Sequence, residues 1–399
     1  MNKLSIDKVD LKGKRVLVRV DFNVPLDENQ NITDDRRIVA AIPTIKKIMG
    51  DGGKAILMSH LGRPKGERKP EFSMKPTAAK LSERLGVEVK FADDCIGEDV
   101  KAIVDNMKEG DVVILENLRY HKEEEKNDPE FSKKLAELGD VYINDAFGSA
   151  HRAHASTEGV TKYINICASG YLMQKELDYL GKAIADPKRP FTAILGGAKI
   201  SGKIDVIQNL LGKVDTLIIG GGMAYTFYKA QGLEIGHSLL EEDKIELAKE
   251  LLDKFESSKV NVLMPVDVVV APTFDNEASR TIVDISSIPS DQQGLDIGPK
   301  TIELFEEAVL KSKTVIWNGP MGVFEFPNFA VGTNAIAQAL AKATENGAVT
   351  VVGGGDSASA IKKAKLSDKV THVSTGGGAS LEFLEGKILP GVEALNDAE

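Results

Sequence analysis

Cysteine is scarce: Cys95 and Cys167 are the only two in 399 residues, and neither sits in a CxxC pair or a Cys/His spacing of the zinc-binding kind. A disulfide framework and a structural zinc module are therefore not expected, and a reducing compartment is the simplest setting. Positive charge is also short. Fifty Lys and Arg against 60 Asp and Glu leave a formal net charge of −10, which argues against nucleic acid or an anionic membrane as the main partner while leaving room for a local basic site. Long apolar runs are missing too. AVTVVGGG (Ala348–Gly355) is among the longest and is far too short to span a bilayer. The opening MNKLSIDKVDLKGK lacks the apolar stretch of a signal peptide, so a cytoplasmic chain with no membrane and no nucleic-acid partner is expected. No internal repeat and no low-complexity linker is evident.

What is present is a regular alternation. Short β-branched runs at Arg15–Val20, Ala55–Met58, Val112–Leu115, Val141–Asn144, Thr192–Leu195, Thr216–Ile219, Val262–Pro265, Thr314–Trp317 and Val349–Val352 are separated by stretches of helical spacing. Those stretches include Ile38–Met49, Pro76–Leu85, Ile204–Leu211, Lys244–Phe255, Thr301–Leu310 and Ala335–Ala343. Continuous apolar strands alternating with helices predict an α/β fold with parallel sheets buried on both faces. The length suits two domains. The boundary is placed at a helical stretch, Tyr171–Ile184, followed by ADPKRP, where Pro187 and Pro190 stop the helix; that helix reads either as a hinge or as an ordinary connection.

The two halves carry different chemistry. Nine of the eleven arginines lie at or before Arg152, whereas Gly196-Gly197, Gly220–Gly222, Gly353–Gly355 and Gly376–Gly378 punctuate the second half. Arginine recognises carboxylate and phosphate bidentately, and glycine-rich turns at strand ends let backbone N–H groups approach phosphate. In the first half, four predicted strand ends deliver Asp21 and Asn23, then His60 and Arg63, then Arg119, then Arg152 with His151 and His154 beside it. That convergence predicts an anion site in the crevice at the strand ends. In the second half GGAKISGKI (Gly196–Ile204) nearly matches a Walker A loop but has Ile204 where the Mg2+-binding hydroxyl should be. Lys199 and Lys203 are expected one helical turn apart, on one face. In GGGDSASA (Gly353–Ala360), Asp356 and Ser357 stand at a predicted helix start, where Asp356 either caps the helix or holds Mg2+. NGPMGVFE (Asn318–Glu325) offers Glu325 to ribose hydroxyls or to solvent.

These segments together resemble the phosphoglycerate kinase family along essentially the whole chain. The matching runs are RVLVRVDFNVP, RIVAAIPTI, SHLGRP, ENLRYH, GDVYINDAFGSAHRAH, AILGGAKISGKI, IIGGGMAYTF, VIWNGPMGVFE, GGGDSASA and HVSTGGGASLEFLEGKILPG. The resemblance implies two Rossmann-like domains: residues 1–170 for the acid substrate, a hinge helix over 171–186, residues 187–386 for the nucleotide, and 387–399 packing back on the first domain. It implies that 3-phosphoglycerate or 1,3-bisphosphoglycerate contacts Asp21, Asn23, Arg37, His60, Arg63, Arg119 and Arg152. It places ADP or ATP against Lys199, Lys203, Gly221, Asn318, Glu325, Gly354, Gly355, Asp356 and Ser357, with Asp356 reaching Mg2+. Arg37 and Lys203, with the glycine turns at Gly354 and Gly377, would surround the transferring phosphoryl group. Arg36 and Arg37 are adjacent; Arg37 precedes Ile38 and takes the family's single arginine position. A monomer that closes about its hinge is implied.

A nicotinamide dehydrogenase would need GxGxxG with an acidic residue about 20 positions on, and the chain has none. A non-catalytic nucleotide-binding scaffold would not need the Arg/His array.

Overall fold

The computed structural model describes residues 2–398. The chain divides into two compact units, Met1–Leu177 with Ile388–Glu399, and Asp178–Lys387.

The first unit is built on β1 (Arg15–Val20), β2 (Lys54–Met58), β3 (Val89–Ala92), β4 (Val112–Leu115), β5 (Val141–Asp145) and β6 (Cys167–Ser169), in the order β3-β4-β2-β1-β5-β6. Every pairing is parallel. The central strands are apolar without alternation because both their faces are covered: all four residues of β4, and Val16 through Val20 of β1, are buried. The helix Arg36–Gly50 contributes Ile38, Ala41, Ile45 and Ile48, a 3.6-residue stripe, to the same core. Each such fully buried aliphatic side chain is worth about 1.5–3 kcal/mol. The C-terminal segment belongs to this unit. Leu4 N donates to Asn396 O and Gly391 N to Ala150 O, both at 2.8 Å.

The second unit holds β7 (Phe191–Leu195), β8 (Thr216–Ile219), β9 (Asn261–Leu263), β10 (Asp267–Ala271), β11 (Thr281–Asp284), β12 (Gln293–Ile297), β13 (Thr314–Asn318), β14 (Val349–Gly353) and β15 (His372–Val373). Six of them form a parallel sheet in the order β15-β14-β13-β7-β8-β9. The other three form a separate antiparallel sheet, β11-β10-β12, which parallel α/β patterning does not anticipate. In both six-stranded sheets the winding reverses beside the first strand, at β1/β5 and at β7/β13. Loops leaving the carboxyl ends diverge there and open a crevice.

From Tyr171 to Ala185 the chain is helical but not uniformly so. It is α-helical over Tyr171–Glu176 and Lys182–Ala185, with a π-helical turn, Leu177–Gly181, between them.

Candidate functional site

In the first unit the loops after β1, β2, β4 and β5 assemble a cationic cluster. The chain leaving β1 is pinned to the loop after β2: Phe22 N donates to Ser59 Oγ at 2.9 Å, and Gly62 N donates to Asn23 Oδ1 at 2.9 Å. Asp21 accepts Arg37 Nη1 on both oxygens, at 2.7 and 2.9 Å. The neighbouring Arg36 turns away to Asp34, with Nη2 at 2.6 Å from Oδ2. The two adjacent arginines therefore face different partners, and only Arg37 joins the strand-end residues. Arg119 Nη1 donates to Gly62 O at 3.1 Å, while its buried Nε has no hydrogen-bond partner and lies 3.7 Å from Glu125 Oε1. Arg63 and Arg152 are exposed.

His60 shows how this cluster is held. It is buried, and its Nδ1 lies 2.9 Å from Arg19 Nη2. A guanidinium only donates, so Nδ1 accepts and the ring proton sits on Nε2. Burial pushes His60 well below the usual imidazole range, and the charges of Arg19, Arg119 and Arg37 push the same way. His154 is brought down to about 4, first by burial and then by Arg119, Arg19 and Arg152. Both rings are thus neutral among permanent cations.

Arg19 itself was not among the predicted site residues. It is fully buried in β1, donates Nε to Ser156 Oγ at 2.8 Å, and Ser156 in turn donates Oγ to Glu124 Oε1 at 2.5 Å. Glu124 is also fully buried; burial raises its pKa and Arg19 opposes the rise. A charged residue inside an otherwise apolar strand was the available signal, since Arg is almost never fully buried without a partner.

In the second unit the loops after β7, β13 and β14 and the turn after β15 line a pocket of about 300 Å³. Lys199, Lys203, Asn318, Gly354, Gly355, Asp356, Ser357 and Gly377 all face it. Lys199 and Lys203 are not on a helical face, as their spacing predicts. Gly196–Lys203 is loop and turn, and the helix begins only at Ile204. Gly197, with φ +106°, takes the backbone out of helical space before either lysine, and the pocket brings the two together instead. Lys203 Nζ donates to Asn318 Oδ1, and burial lowers its pKa to about 8 against the opposing pull of Asp356 and Glu385. Asn318 Nδ2 is buried without a partner. Gly354 lies so close to that amide that a Cβ would sit 3.0 Å from Nδ2. Gly319 N donates to Ser357 Oγ at 2.6 Å, tying the turns after β13 and β14 together. Asp356 does not cap its helix: Gly354 is the N-cap, and Asp356 stands in the first turn of Gly355–Lys363.

A second cavity of about 340 Å³ shares Gly197, Ala198 and Asp356 with the first. Its walls include Tyr225, Leu239, Phe274, Met321 and Val323, with Gly221 and Glu325 also on the lining. Asp296 lies there as well, pushed up to about 7 by burial although Ile297 N and Gly332 N donate to it at 2.8 and 2.9 Å. The apolar wall residues were not predicted, because at the level of sequence an apolar pocket wall looks the same as core. A polar, glycine-lined end joined to an apolar end fits a phosphate-bearing ligand with a flat hydrophobic group.

A profile of the family described as "Phosphoglycerate kinase" matches residues 6–387. Curated proteins named phosphoglycerate kinase from Chloroherpeton thalassium and Chlorobaculum tepidum are 63% identical over 398 residues and 60% identical over 397, each covering 100% of both chains. The solved structure of phosphoglycerate kinase from Coxiella burnetii superposes with a TM-score of 0.91 at 42% identity, covering 98% of each chain. That from Pyrococcus horikoshii gives 0.83 at 33%, with the same coverage.

Proposed function

The chain belongs to the phosphoglycerate kinase family, and from that premise we propose that its arginine cluster holds the three-carbon acid and its glycine-lined pocket the nucleotide. Its activity is that of a phosphotransferase with a carboxyl acceptor, working in glycolysis. 3-Phosphoglycerate and ATP interconvert with 1,3-bisphosphoglycerate and ADP.

The observation that carries the assignment of residues is the pocket where Lys203, the unpaired Asn318 amide and the Gly354–Ser357 turn converge. One carboxylate oxygen of 3-phosphoglycerate attacks the γ-phosphorus; the bond from that phosphorus to the ADP oxygen breaks in line, and the new acyl–phosphate bond forms. The attacking carboxylate is ionised at neutral pH, so no general base and no phosphorylated side chain are needed. The residues therefore position and neutralise. Arg37, held by Asp21, and Lys203 stabilise charge on the transferring oxygens; the N–H groups of the Gly354 and Gly377 turns assist. His60 donates from Nε2, and Asp21, Asn23, Arg63, Arg119 and Arg152 complete the acid site. Lys199, Gly221, Glu325, Gly355 and Ser357 complete the nucleotide site.

Asp356 suits Mg2+: its exposed carboxylate stands where the two cavities meet, a hard oxygen donor beside the phosphate pocket. When bound with the nucleotide, Mg2+ neutralises phosphate charge. Transfer is proposed to follow bending along Tyr171–Ala185, with the π turn as the deformable point, in a cytoplasmic monomer.

A coupled assay with 3-phosphoglycerate and MgATP tests the reading, with turnover expected. Folded protein without turnover refutes it. Small-angle scattering with both substrates tests the bending, and an unchanged radius of gyration refutes that part alone.

A further inference from the structure

Three side chains that neither substrate site uses converge in the first unit. Asp94 and Cys95 lie in the loop after β3, and His121 follows the 3-10 turn Leu118–Tyr120 after β4. β3 and β4 are paired neighbours, so their carboxyl ends bring the two loops side by side. A carboxylate oxygen of Asp94, the sulfur of Cys95 and a ring nitrogen of His121 all lie within 4.8 Å of one another. His121 Nε2 is 2.7 Å from Asp94 Oδ1, and Phe131 packs against the ring with centroids 5.2 Å apart. Cys95 is fully buried, whereas the His121 and Asp94 side chains are 26% and 45% exposed. The cluster thus has a sulfur floor and two wetted ligands at its mouth.

This donor set is selective. Mg2+ and Ca2+ are bound by oxygen. Thiolate, imidazole and carboxylate together suit Zn2+ and borderline neighbours such as Co2+, with three protein ligands and a fourth position left for water. We propose that Asp94, Cys95 and His121 form a site for a zinc-type divalent cation, separate from the Mg2+ of the nucleotide. On binding, the S–H bond of Cys95 breaks, its proton goes to solvent and a metal–sulfur bond forms. His121 ligates through one ring nitrogen and keeps its proton on the other. Sequence spacing could not show this site, since its ligands come from two different strand ends. The ion ties the loop after β3 to the turn that also carries Arg119.

The test is a titration of untagged, full-length protein with Co2+. One equivalent is expected to produce a thiolate-to-cobalt charge-transfer band in the near ultraviolet, displaced by one equivalent of Zn2+ and unaffected by excess Mg2+. Cys95→Ser should abolish the band and Cys167→Ser should leave it. His121→Gln should weaken binding by roughly 10-fold or more, the least that perturbing a ligand shell costs. No band in folded wild-type protein overturns the proposal, as does a band that persists in Cys95→Ser. Should Cys95→Ser fail to fold by circular dichroism, His121→Gln decides, and wild-type affinity in that variant overturns the site.

Discussion

Replacing Lys203 with Met is expected to stabilise the second unit while it destroys transfer. Lys203 is mostly buried in the phosphate pocket, and burial brings its pKa from 10.5 to about 8. At about 1.4 kcal/mol per pH unit, keeping that ammonium charged in the folded state costs about 3 kcal/mol at pH 7. Met has nearly the same length and no charge to desolvate. Its one debit is Asn318 Oδ1, which loses its donor at about 1 kcal/mol, leaving a net gain of about 2 kcal/mol. The sign depends on pH. A lysine whose folded pKa lies below its unfolded one leaves the unfolded chain holding more protons between pH 8 and 10.5. Wild-type stability therefore rises through that window, and the advantage of Met is full below pH 8 and gone or reversed by 10.5. The assay is simple, because the only tryptophan, Trp317, is buried in β13, so urea unfolding followed by its fluorescence reports the second unit. A variant no more stable than wild type at pH 7, or a gap that does not change with pH, would refute the reasoning. In the same variant kcat should fall roughly 10²–10³-fold, as for the loss of one transition-state donor.

Arg37→Ala should cost about 2.7–4 kcal/mol of barrier, seen mainly in kcat, while Arg36→Ala, which breaks only the pair with Asp34, should stay near wild type in the coupled assay; comparable losses at both positions refute the distinction. Gly221→Ala should destabilise the second unit by about 3 kcal/mol and weaken nucleotide binding by calorimetry, because Gly221 has φ +72° and a Cβ there would sit 2.6 Å from Gly197 N and 2.8 Å from Pro320 O. His154 contributes stability that is fully present above pH 6.5 and lost as pH falls toward 4, the value to which burial and the arginines bring it. With solvent screening that is about 2 kcal/mol, and His154→Gln should flatten the decline in urea melts of the first unit at pH 7 and 4.5.

Strand after strand was legible because the sheets are parallel: TLII is apolar without a break and RVLVRV is interrupted inside only by Arg19, and the structure places them at Thr216–Ile219 and Arg15–Val20. Of the short edge strands, β9 was found at Val262–Pro265, but β3, β6 and β15 were not. VKFA carries a lysine and is buried only at its two ends, and His372–Val373 is two residues long; neither leaves a pattern above background. DVVVA in β10 was not among the predicted strands, and its antiparallel pairing with β11 and β12 breaks the parallel pattern the rest of the chain follows. At the sites, residue types that announce their chemistry could be found: arginines and histidines at strand ends, glycines in turns. Residues that act through others could not. Ser156 looks like any serine until Arg19 and Glu124 are placed on either side of it.

That relay explains a difference between the two clusters. The cluster proposed to hold the acid is built from groups whose charge cannot change: guanidinium groups stay protonated at any physiological pH, and His60 and His154 are held neutral well below neutrality. Arg19 is central to this, because it occupies Nδ1 of His60 and so leaves the ring only one way to interact, as a donor from Nε2. Glu124 offsets the charge of Arg19 through Ser156, which lets a guanidinium stand fully buried inside a strand. The second unit relies instead on backbone N–H groups and on a lysine whose buried ammonium is already poorly solvated. A phosphate oxygen entering beside Lys203 replaces solvation that the fold has removed, so the charge gains more from its ligand than an exposed lysine would. In the proposed site, fixed charge in the first cluster holds the acid, while Arg37 and the desolvated Lys203 stabilise the transferring group.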